Sequence, residues 1–223
     1  MTTKQKNALE AIERLKKLYP AAACSLRYEG DPFRLLVMAR LSAQCTDARV
    51  NIVSETLFAK LPDVYAMAAA DEEEIQKYIF ACGLYKTKAR DVKRMSNELI
   101  ERHHGEVPRE MDELLALSGV GRKIANLIRG DLFDLGGVVA DTHCIRISGR
   151  LGFTKSDNPA VVEKDLEKLI PAKEQTDFCH RLVLFGREVC TARAPLCQNC
   201  PLADLCVSPD APKKAKAKQK GTA

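Results

Sequence analysis

A lysine that follows a glycine-containing turn, and an aspartate eighteen residues after it, are the residues of this 223-residue chain best suited to covalent chemistry. The segment Leu-Ser-Gly-Val-Gly-Arg-Lys ends at Lys123, and the segment Val-Val-Ala-Asp-Thr-His contains Asp141. Lys123 falls in the first turn of a predicted helix, where the helix dipole and the adjacent Arg122 both disfavour a charged ammonium. The pKa of Lys123 should therefore fall if the site is partly desolvated, which would make its amine a nucleophile.

Gly119 and Gly121 join two predicted helices, 111–118 and 122–135. Glycine adopts positive φ at little cost, so this connection permits a sharp turn. The turn also leaves backbone N–H groups at the start of the second helix, where the dipole favours an anion such as phosphate. The alternative is an ordinary turn with a solvated lysine, and Gly-x-Gly by itself favours that alternative. The position of Lys123 is what favours a functional site.

Asp141 is expected to lie close to the lysine end of the second helix. That helix, 122–135, rises about 20 Å, and the six residues 136–141 span up to about 20 Å when extended. The apolar Val-Val-Ala stretch before Asp141 would carry this return through the core. Asp141 is also well placed as the N-cap of a helix that begins at Thr142. The two roles are compatible, because a capping carboxylate stays ionised.

Four cysteines form the second pattern that could do chemistry. They read Cys-x6-Cys-x2-Cys-x5-Cys, at Cys190, Cys197, Cys200 and Cys206. Four thiolates this close in sequence can surround one metal centre. A structural zinc site is the alternative, but it is favoured where two Cys-x2-Cys pairs occur. Only one such pair is present and the x6 loop is wide, so the spacing favours an iron–sulfur cluster.

Composition bounds the remaining possibilities. Nine cysteines, an odd number, in a chain without an apolar N-terminal run predict a cytoplasmic protein with no membrane association. The five cysteines outside the metal pattern lie in apolar helical contexts and are predicted to be small core residues. They are Cys24, Cys45, Cys82, Cys144 and Cys179.

The net charge of +5 is concentrated at the end of the chain. Residues 207–223 contain five lysines and one aspartate, a net +4, which leaves +1 for the remainder. Any surface that binds a polyanion must therefore be a local patch. The tail 209–223 has no large apolar residue and is predicted to be disordered. A solubilising role for it is favoured over that of a nonspecific DNA-attracting arm.

Apolar residues recur at helical spacing along nearly the whole chain. An opening helix should end before Pro20. Asp31 and Pro32 predict the N-cap and first turn of a helix that continues to Leu41. Further helices are predicted at 48–60, 71–82, 87–103, 142–151, 159–170 and 174–189, with no strand. The sequence therefore predicts an all-α protein.

These motifs together resemble the helix-hairpin-helix DNA glycosylases, in particular the endonuclease III branch, over residues 31–206. The resemblance implies that Lys123 attacks C1′ of a damaged nucleotide while Asp141 assists, and that a Schiff base and β-elimination follow. It implies that the four cysteines hold a [4Fe–4S] cluster, whose role is to hold the loop 191–196 against DNA. The implied substrate is an oxidised pyrimidine in damaged double-stranded DNA.

The same resemblance implies the architecture and the DNA contacts. The expected fold is all-α and two-lobed, with a six-helix lobe at 25–135, an iron–sulfur lobe at 1–24 and 136–208, and the DNA cleft between them. A monomer is expected. The expected DNA-binding residues are Gln44, which fills the vacated space, Leu84, which wedges the opposite strand, the hairpin glycines Gly119 and Gly121, His143 and Arg193. From the residues alone, a capping loop at Gln44, a core leucine at Leu84 and a structural histidine are the alternatives.

Two departures from the family pattern modify these expectations. Ser118 stands where relatives commonly carry proline, and is expected to loosen the hairpin. Ala194 and Leu196 stand where a cation is expected, so weaker phosphate binding by that loop is predicted.

Three other classes of protein fit less well. An adenine-excising mismatch glycosylase would lack the lysine and carry a glutamate within 42–47, and this chain has Lys123 and no glutamate there. A noncatalytic DNA-binding protein would need neither Lys123 nor Asp141. An electron-transfer protein ranks last, because no second-cofactor motif is present.

Overall fold

The computed structural model describes residues 1–208, so the prediction for the tail 209–223 lies outside the described residues. The described chain is helical and contains no β-strand, which confirms the all-α class. The helices are α1 Thr3–Leu18, α2 Pro32–Leu41, α3 Asp47–Lys60, α4 Val64–Ala69, α5 Glu72–Ile79, α6 Tyr85–His103, α7 Met111–Leu115, α8 Arg122–Phe133, α9 Thr142–Arg150, α10 Pro159–Glu167 and α11 Ala172–Glu188. Short 3-10 turns occur at Phe80–Cys82, Cys197–Asn199 and Ala203–Leu205. None of the helices within 1–208 is both long and apolar enough to cross a membrane.

The described chain forms two compact units, one of residues 23–139 and one of residues 1–22 together with 140–208. The helix α1 therefore packs with the C-terminal helices although it begins the sequence. The assignment of two functional lobes at 25–135 and at 1–24 with 136–208, and of a DNA cleft between them, stays a prediction.

The core of the unit 23–139 is organised around α2. Its residues Leu35, Leu36, Val37 and Met38 are at most 1% exposed. Four consecutive buried residues cover every side of a helix, which is the pattern of a helix surrounded by others. Helices α3, α6 and α8 pack against it. The hairpin that carries Lys123 therefore rests on the most buried helix of its unit.

The smaller unit is built around α11, which contacts α1, α9 and α10. Its buried Phe178, Leu182 and Phe185 face this core. Helix α9 lies against α11 at Gly186, where a Cβ atom would overlap the imidazole of His143. Gly186 thus permits the contact that fixes α9, the helix that begins after Asp141.

Most predicted helices are present, with shifts at their ends. Asp31 accepts a hydrogen bond from the Arg34 N–H at 3.0 Å and Pro32 opens α2, as the sequence predicts. Helix α4 was not predicted, because its six residues are too few to show a period. Helix α5 gives way to a 3-10 turn at Phe80–Cys82, and α7 ends at Leu115 rather than at 118.

Candidate active site and cysteine cluster

The hairpin between α7 and α8 is shaped by Gly119. Its φ is +77°, and a Cβ atom there would lie 2.6 Å from Arg40 Nε and 3.0 Å from Asp91 Cβ. Glycine is therefore required both for the left-handed backbone and for the close approach. Gly121 has φ −104° and serves as the N-cap of α8 without a side-chain acceptor. Only Gly119 therefore needs a positive φ, whereas the sequence analysis assigns this property to both glycines of the turn.

An ion pair lies directly beneath Gly119. The guanidinium of Arg40 donates from Nη2 and Nε to Asp91 Oδ2, at 2.6 and 3.0 Å. The two side chains are 13% and 15% exposed, so water screens the pair little. Sequence reasoning missed this pair, because Arg40 and Asp91 are 51 residues apart and belong to no local motif.

Ser118 bonds the hairpin to α6. Its backbone N–H donates to Glu98 Oε2 at 2.7 Å, and its hydroxyl donates to Glu98 Oε1 at 2.8 Å. Proline has no N–H and no hydroxyl, so it could form neither bond. This chain therefore has two hydrogen bonds to α6 in place of the stiffness of proline, and the expectation of a looser hairpin stays a prediction.

Lys123 is the second residue of α8, and its side chain is exposed. The described residues do not desolvate it, so the condition that the sequence analysis sets for a nucleophilic amine is not met by these residues alone. Any desolvation of the amine must therefore come from a bound ligand. The positive end of the α8 dipole acts on the amine both with and without a bound ligand.

Asp141 is the N-cap of α9, as one of its two predicted roles requires. Its Oδ1 accepts a hydrogen bond from the Cys144 N–H at 2.7 Å, and the residue is half-buried. The stretch before it runs along α8, where Asn126 Nδ2 donates to the carbonyl of Val138 at 3.0 Å. The chain therefore returns to the first half of α8 at Val138. The expectation that Asp141 lies close to Lys123 stays a prediction.

Gln44 and Leu84 share an unusual backbone. Both have left-handed φ angles, +54° and +47°, and both are exposed. Such a conformation costs a non-glycine residue about 1–2 kcal/mol. Leu84 is 57% exposed, so the alternative of a core leucine is wrong. Strain combined with exposure of a large apolar side chain is typical of a residue that meets a ligand.

A buried lysine joins the segments that carry these two residues. Lys88 is 0% exposed, and its Nζ donates to the carbonyls of Leu41 and Cys82 at 2.8 and 2.6 Å. Leu41 precedes the Gln44 segment and Cys82 precedes Leu84. No sequence signal singled out Lys88, because its acceptors are backbone atoms.

Cys190, Cys197, Cys200 and Cys206 line one pocket, together with Arg150 of α9. Arg150 Nη1 donates to Cys190 Sγ at 3.2 Å and to the Thr191 carbonyl at 2.8 Å. One turn earlier, Arg146 Nη2 donates to the Cys190 carbonyl at 3.0 Å. Sequence reasoning missed both arginines, which lie at i and i+4 on one face of α9.

The donor set of this pocket fits an iron–sulfur cluster. Four cysteine thiols line the pocket, and iron–sulfur clusters are held by cysteine thiolates. Burial, and then the neighbouring cysteines, raise the pKa of Cys200 and of Cys206. Ligation must therefore displace protons from these thiols. Among residues 1–208, no three His, Cys, Asp or Glu side chains converge closely enough to hold a single metal ion.

The segment from Cys190 to Cys206 is also held by hydrogen bonds from α1. Arg14 Nη1 donates to Asp204 Oδ1 at 2.5 Å and to the Pro201 carbonyl at 2.9 Å.

The remaining candidate DNA residues of this unit differ in exposure. His143 is half-buried with Arg146 Nη2 3.2 Å from its Nδ1, whereas Arg193 is exposed. Ala194 and Leu196 are exposed as well, so the loop carries apolar atoms where a cation is expected.

Family models match most of the chain. Residues 37–172 match the HhH-GPD superfamily of base excision DNA repair proteins. Residues 190–206 match the iron–sulfur binding domain of endonuclease III, and this range contains all four cysteines.

Individual relatives agree with these models. Endonuclease III of Synechocystis is 46% identical over 212 residues, 95% of this chain and 96% of the relative. That of Bacillus subtilis is 42% identical over 196 residues, 87% and 89% of the two chains. A trapped covalent endonuclease III–DNA intermediate superposes with a TM-score of 0.86 and 42% identity, covering 93% of this chain and 97% of that one. The chain thus belongs to the endonuclease III family, the helix-hairpin-helix DNA glycosylases and AP lyases of base excision repair that carry a [4Fe–4S] cluster.

Proposed function

We propose that the protein removes oxidised pyrimidines from damaged double-stranded DNA and then nicks the strand by β-elimination, with Lys123 as the nucleophile. The observation that carries the proposal is the exposed Lys123 amine in the first turn of α8, directly behind the hairpin at Gly119. It is supported by the 42% identity to a relative whose covalent complex with DNA was trapped.

The chemistry asks for a neutral amine and an ionised carboxylate. The Lys123 amine attacks C1′ while the bond to the damaged base breaks, and the sugar then opens to a Schiff base. Loss of a C2′ proton expels the 3′ phosphate and nicks the strand. The carboxylate of Asp141, the N-cap of α9, stabilises the positive charge that develops on the sugar.

The DNA contacts follow from the exposure and backbone of the candidate residues. The N–H groups at Gly119 and Gly121 bind a phosphate at the start of α8. Gln44 fills the space of the extruded nucleotide and Leu84 wedges the opposite strand, which offsets the few kcal/mol that unstacking costs. His143 and Arg193 contact the backbone of the same DNA.

The cluster and the setting complete the proposal. Cys190, Cys197, Cys200 and Cys206 hold the [4Fe–4S] cluster, which keeps the segment around Arg193 in place. The lobes 25–135 and 1–24 with 136–208 bind DNA in the cleft between them, as a monomer. Nine free cysteines and a thiolate-ligated cluster suit the reducing cytoplasm.

Borohydride trapping on duplex DNA with one oxidised pyrimidine tests the mechanism. The wild-type protein should give a covalent adduct, and Lys123→Ala should give none. Lys60→Ala, which removes an exposed lysine at the end of α3, is the matched control and should trap like wild type. Base release without any adduct from a brown, cluster-containing preparation would show a one-step hydrolytic glycosylase instead.

A further inference from the structure

The turn that carries Leu84 presents a second large apolar side chain to solvent. Phe80 opens the 3-10 turn before Gly83 and is 67% exposed, and Leu84, four residues later, is 57% exposed. Ala81 and Gly83, which lie between them, are exposed as well. Single apolar residues are common on protein surfaces, whereas two large ones within five consecutive residues form a patch that is typical of a contact surface.

The ring of Phe80 is held beside Leu84 by Tyr85. The two ring centroids are 4.8 Å apart and the ring planes are inclined at 54°, a favourable geometry for an aromatic pair. Tyr85 is half-buried, is the first residue of α6 and directly follows Leu84. Because Phe80 stays 67% exposed despite this contact, most of its ring remains available to a ligand.

The charge around this patch suits a polyanion. Lys77 precedes Phe80 by three positions, Lys86 follows Leu84 by two, and both are exposed. No aspartate or glutamate occurs in the sequence from position 75 to position 90. Aromatic rings that stack on bases, with cations nearby that meet phosphates, are the combination that binds unpaired nucleotides. The patch therefore fits a nucleobase better than a second apolar protein surface.

Only one base of the bound DNA would offer its face to Phe80. In a duplex, each paired base is covered on both faces by its stacking neighbours. Extrusion of the damaged nucleotide leaves one base without a partner, on the strand that Leu84 wedges in the proposed function. A wedge in that strand separates this base from a neighbour and uncovers a face of it. Phe80 lies in the same turn as Leu84, so this base is the one within its reach.

We propose that Phe80 is a further DNA-binding residue, whose ring stacks on the unpaired base opposite the lesion. The inference rests on the function proposed above, in which Leu84 enters that strand. Stacking uses the face of a base rather than its hydrogen-bonding edge, so Phe80 should accept any base and favour the larger purines. Stacking of the unpaired base on Phe80 would offset part of the cost of breaking the pair.

Removing the ring and the base in turn tests the proposal. The probes are two duplexes with the same tetrahydrofuran abasic site, one with adenine opposite it and one with a second tetrahydrofuran there. The cluster-containing wild type should bind the adenine duplex about tenfold more tightly, and Phe80→Leu should bring the ratio of the two affinities close to one. Phe80→Tyr keeps the ring and should keep the ratio. Tyr65→Leu removes a ring of the same unit that is 59% exposed, and this matched control should bind like wild type.

The ratio distinguishes stacking from other roles of Phe80. If the ring only packs on Tyr85 or contacts the sugar–phosphate backbone, Phe80→Leu weakens binding to both duplexes equally, and this unchanged ratio overturns the proposal. Equal affinity of the wild type for the two duplexes overturns it as well. An unchanged ratio together with self-association that Phe80→Leu abolishes would assign the patch to a second copy of the chain instead.

Excision of an oxidised pyrimidine by the wild type, measured in parallel, separates this inference from the proposed function. Normal excision with a ratio that Phe80→Leu leaves unchanged overturns the stacking alone. A ratio that Phe80→Leu abolishes, in a protein that excises no oxidised pyrimidine, supports the stacking and refutes the proposed substrate.

Discussion

The hairpin at Gly119 and the segment from Cys190 to Cys206 are both short irregular stretches that must hold a fixed shape, and they are held in different ways. The hairpin is held by side chains of its own unit, namely the Arg40–Asp91 pair beneath it and Glu98 beside it. The cysteine segment contains only two 3-10 turns of regular structure. It is held by arginines from α9 and α1 and by the cluster that the family carries.

This difference predicts where each region is vulnerable. The hairpin folds with its unit and depends on one close backbone contact and a few polar bonds. The cysteine segment is too short to bury a core, so its stability depends on a metal centre that the chain must acquire. Substitutions should therefore act through the cluster in one region and through local packing in the other.

Loss of a cluster ligand should have the largest effect. Cys200→Ser should abolish the brown colour and destabilise the unit formed by residues 1–22 and 140–208. A structural metal site contributes several kcal/mol, and a loss of about 4 kcal/mol lowers Tm by roughly 16–32 °C in a unit of this size. Calorimetry with iron analysis measures both effects. Cys24→Ala should keep the cluster, and an unchanged Tm in colourless Cys200→Ser would contradict the dependence on the metal.

The two glycines of the hairpin should differ sharply from each other. Gly119→Ala forces alanine to φ +77° and pushes against the Arg40–Asp91 pair, so about 3 kcal/mol of stability should be lost. Gly121→Ala meets no atom within 4 Å at an ordinary φ, so its stability should stay within about 0.5 kcal/mol of wild type. Denaturant unfolding measures both values. Weaker duplex binding by Gly121→Ala at unchanged stability would support close approach of a phosphate there.

The ion pair beneath the hairpin should matter more than an exposed one. Asp91→Ala leaves Arg40 charged at 13% exposure, and about 2 kcal/mol should be lost. Glu13→Ala removes an exposed partner of Lys16 and should cost less than about 0.5 kcal/mol. Equal costs in urea unfolding would mean that the Arg40–Asp91 pair is solvated like a surface pair.

The sequence predicts the parts of the molecule that local pattern encodes. The Asp31 cap, the Asp141 cap and the position of Lys123 in the first turn of α8 are each set within a few residues. The return of the chain along α8 could also be predicted, because it follows from chain length and two glycines.

The ion pair and hydrogen bonds that hold the site in place could not be predicted, since they join residues far apart in sequence. Arg40 and Asp91 are separated by 51 positions, and Arg150 and Thr191 by 41. Lys88 reaches a backbone carbonyl 47 positions away. None of these pairings leaves a periodicity or a motif, because any lysine or arginine of the chain could have made them.

Ser118 gives the smallest and most discriminating prediction. Ser118→Pro removes both bonds to Glu98, whereas Ser118→Ala removes only the hydroxyl bond at 2.8 Å. Since a hydrogen bond to a charged group contributes about 1.5–3 kcal/mol and proline recovers part of this by stiffening the unfolded chain, the net loss for Ser118→Pro should be about 1–2 kcal/mol. Ser118→Ala should lose less than Ser118→Pro in the same unfolding experiment. A stabilised Ser118→Pro would mean that chain stiffness outweighs Glu98 in this hairpin. In that case serine would stabilise the hairpin less than proline does, and the looser hairpin that the sequence predicts would be confirmed.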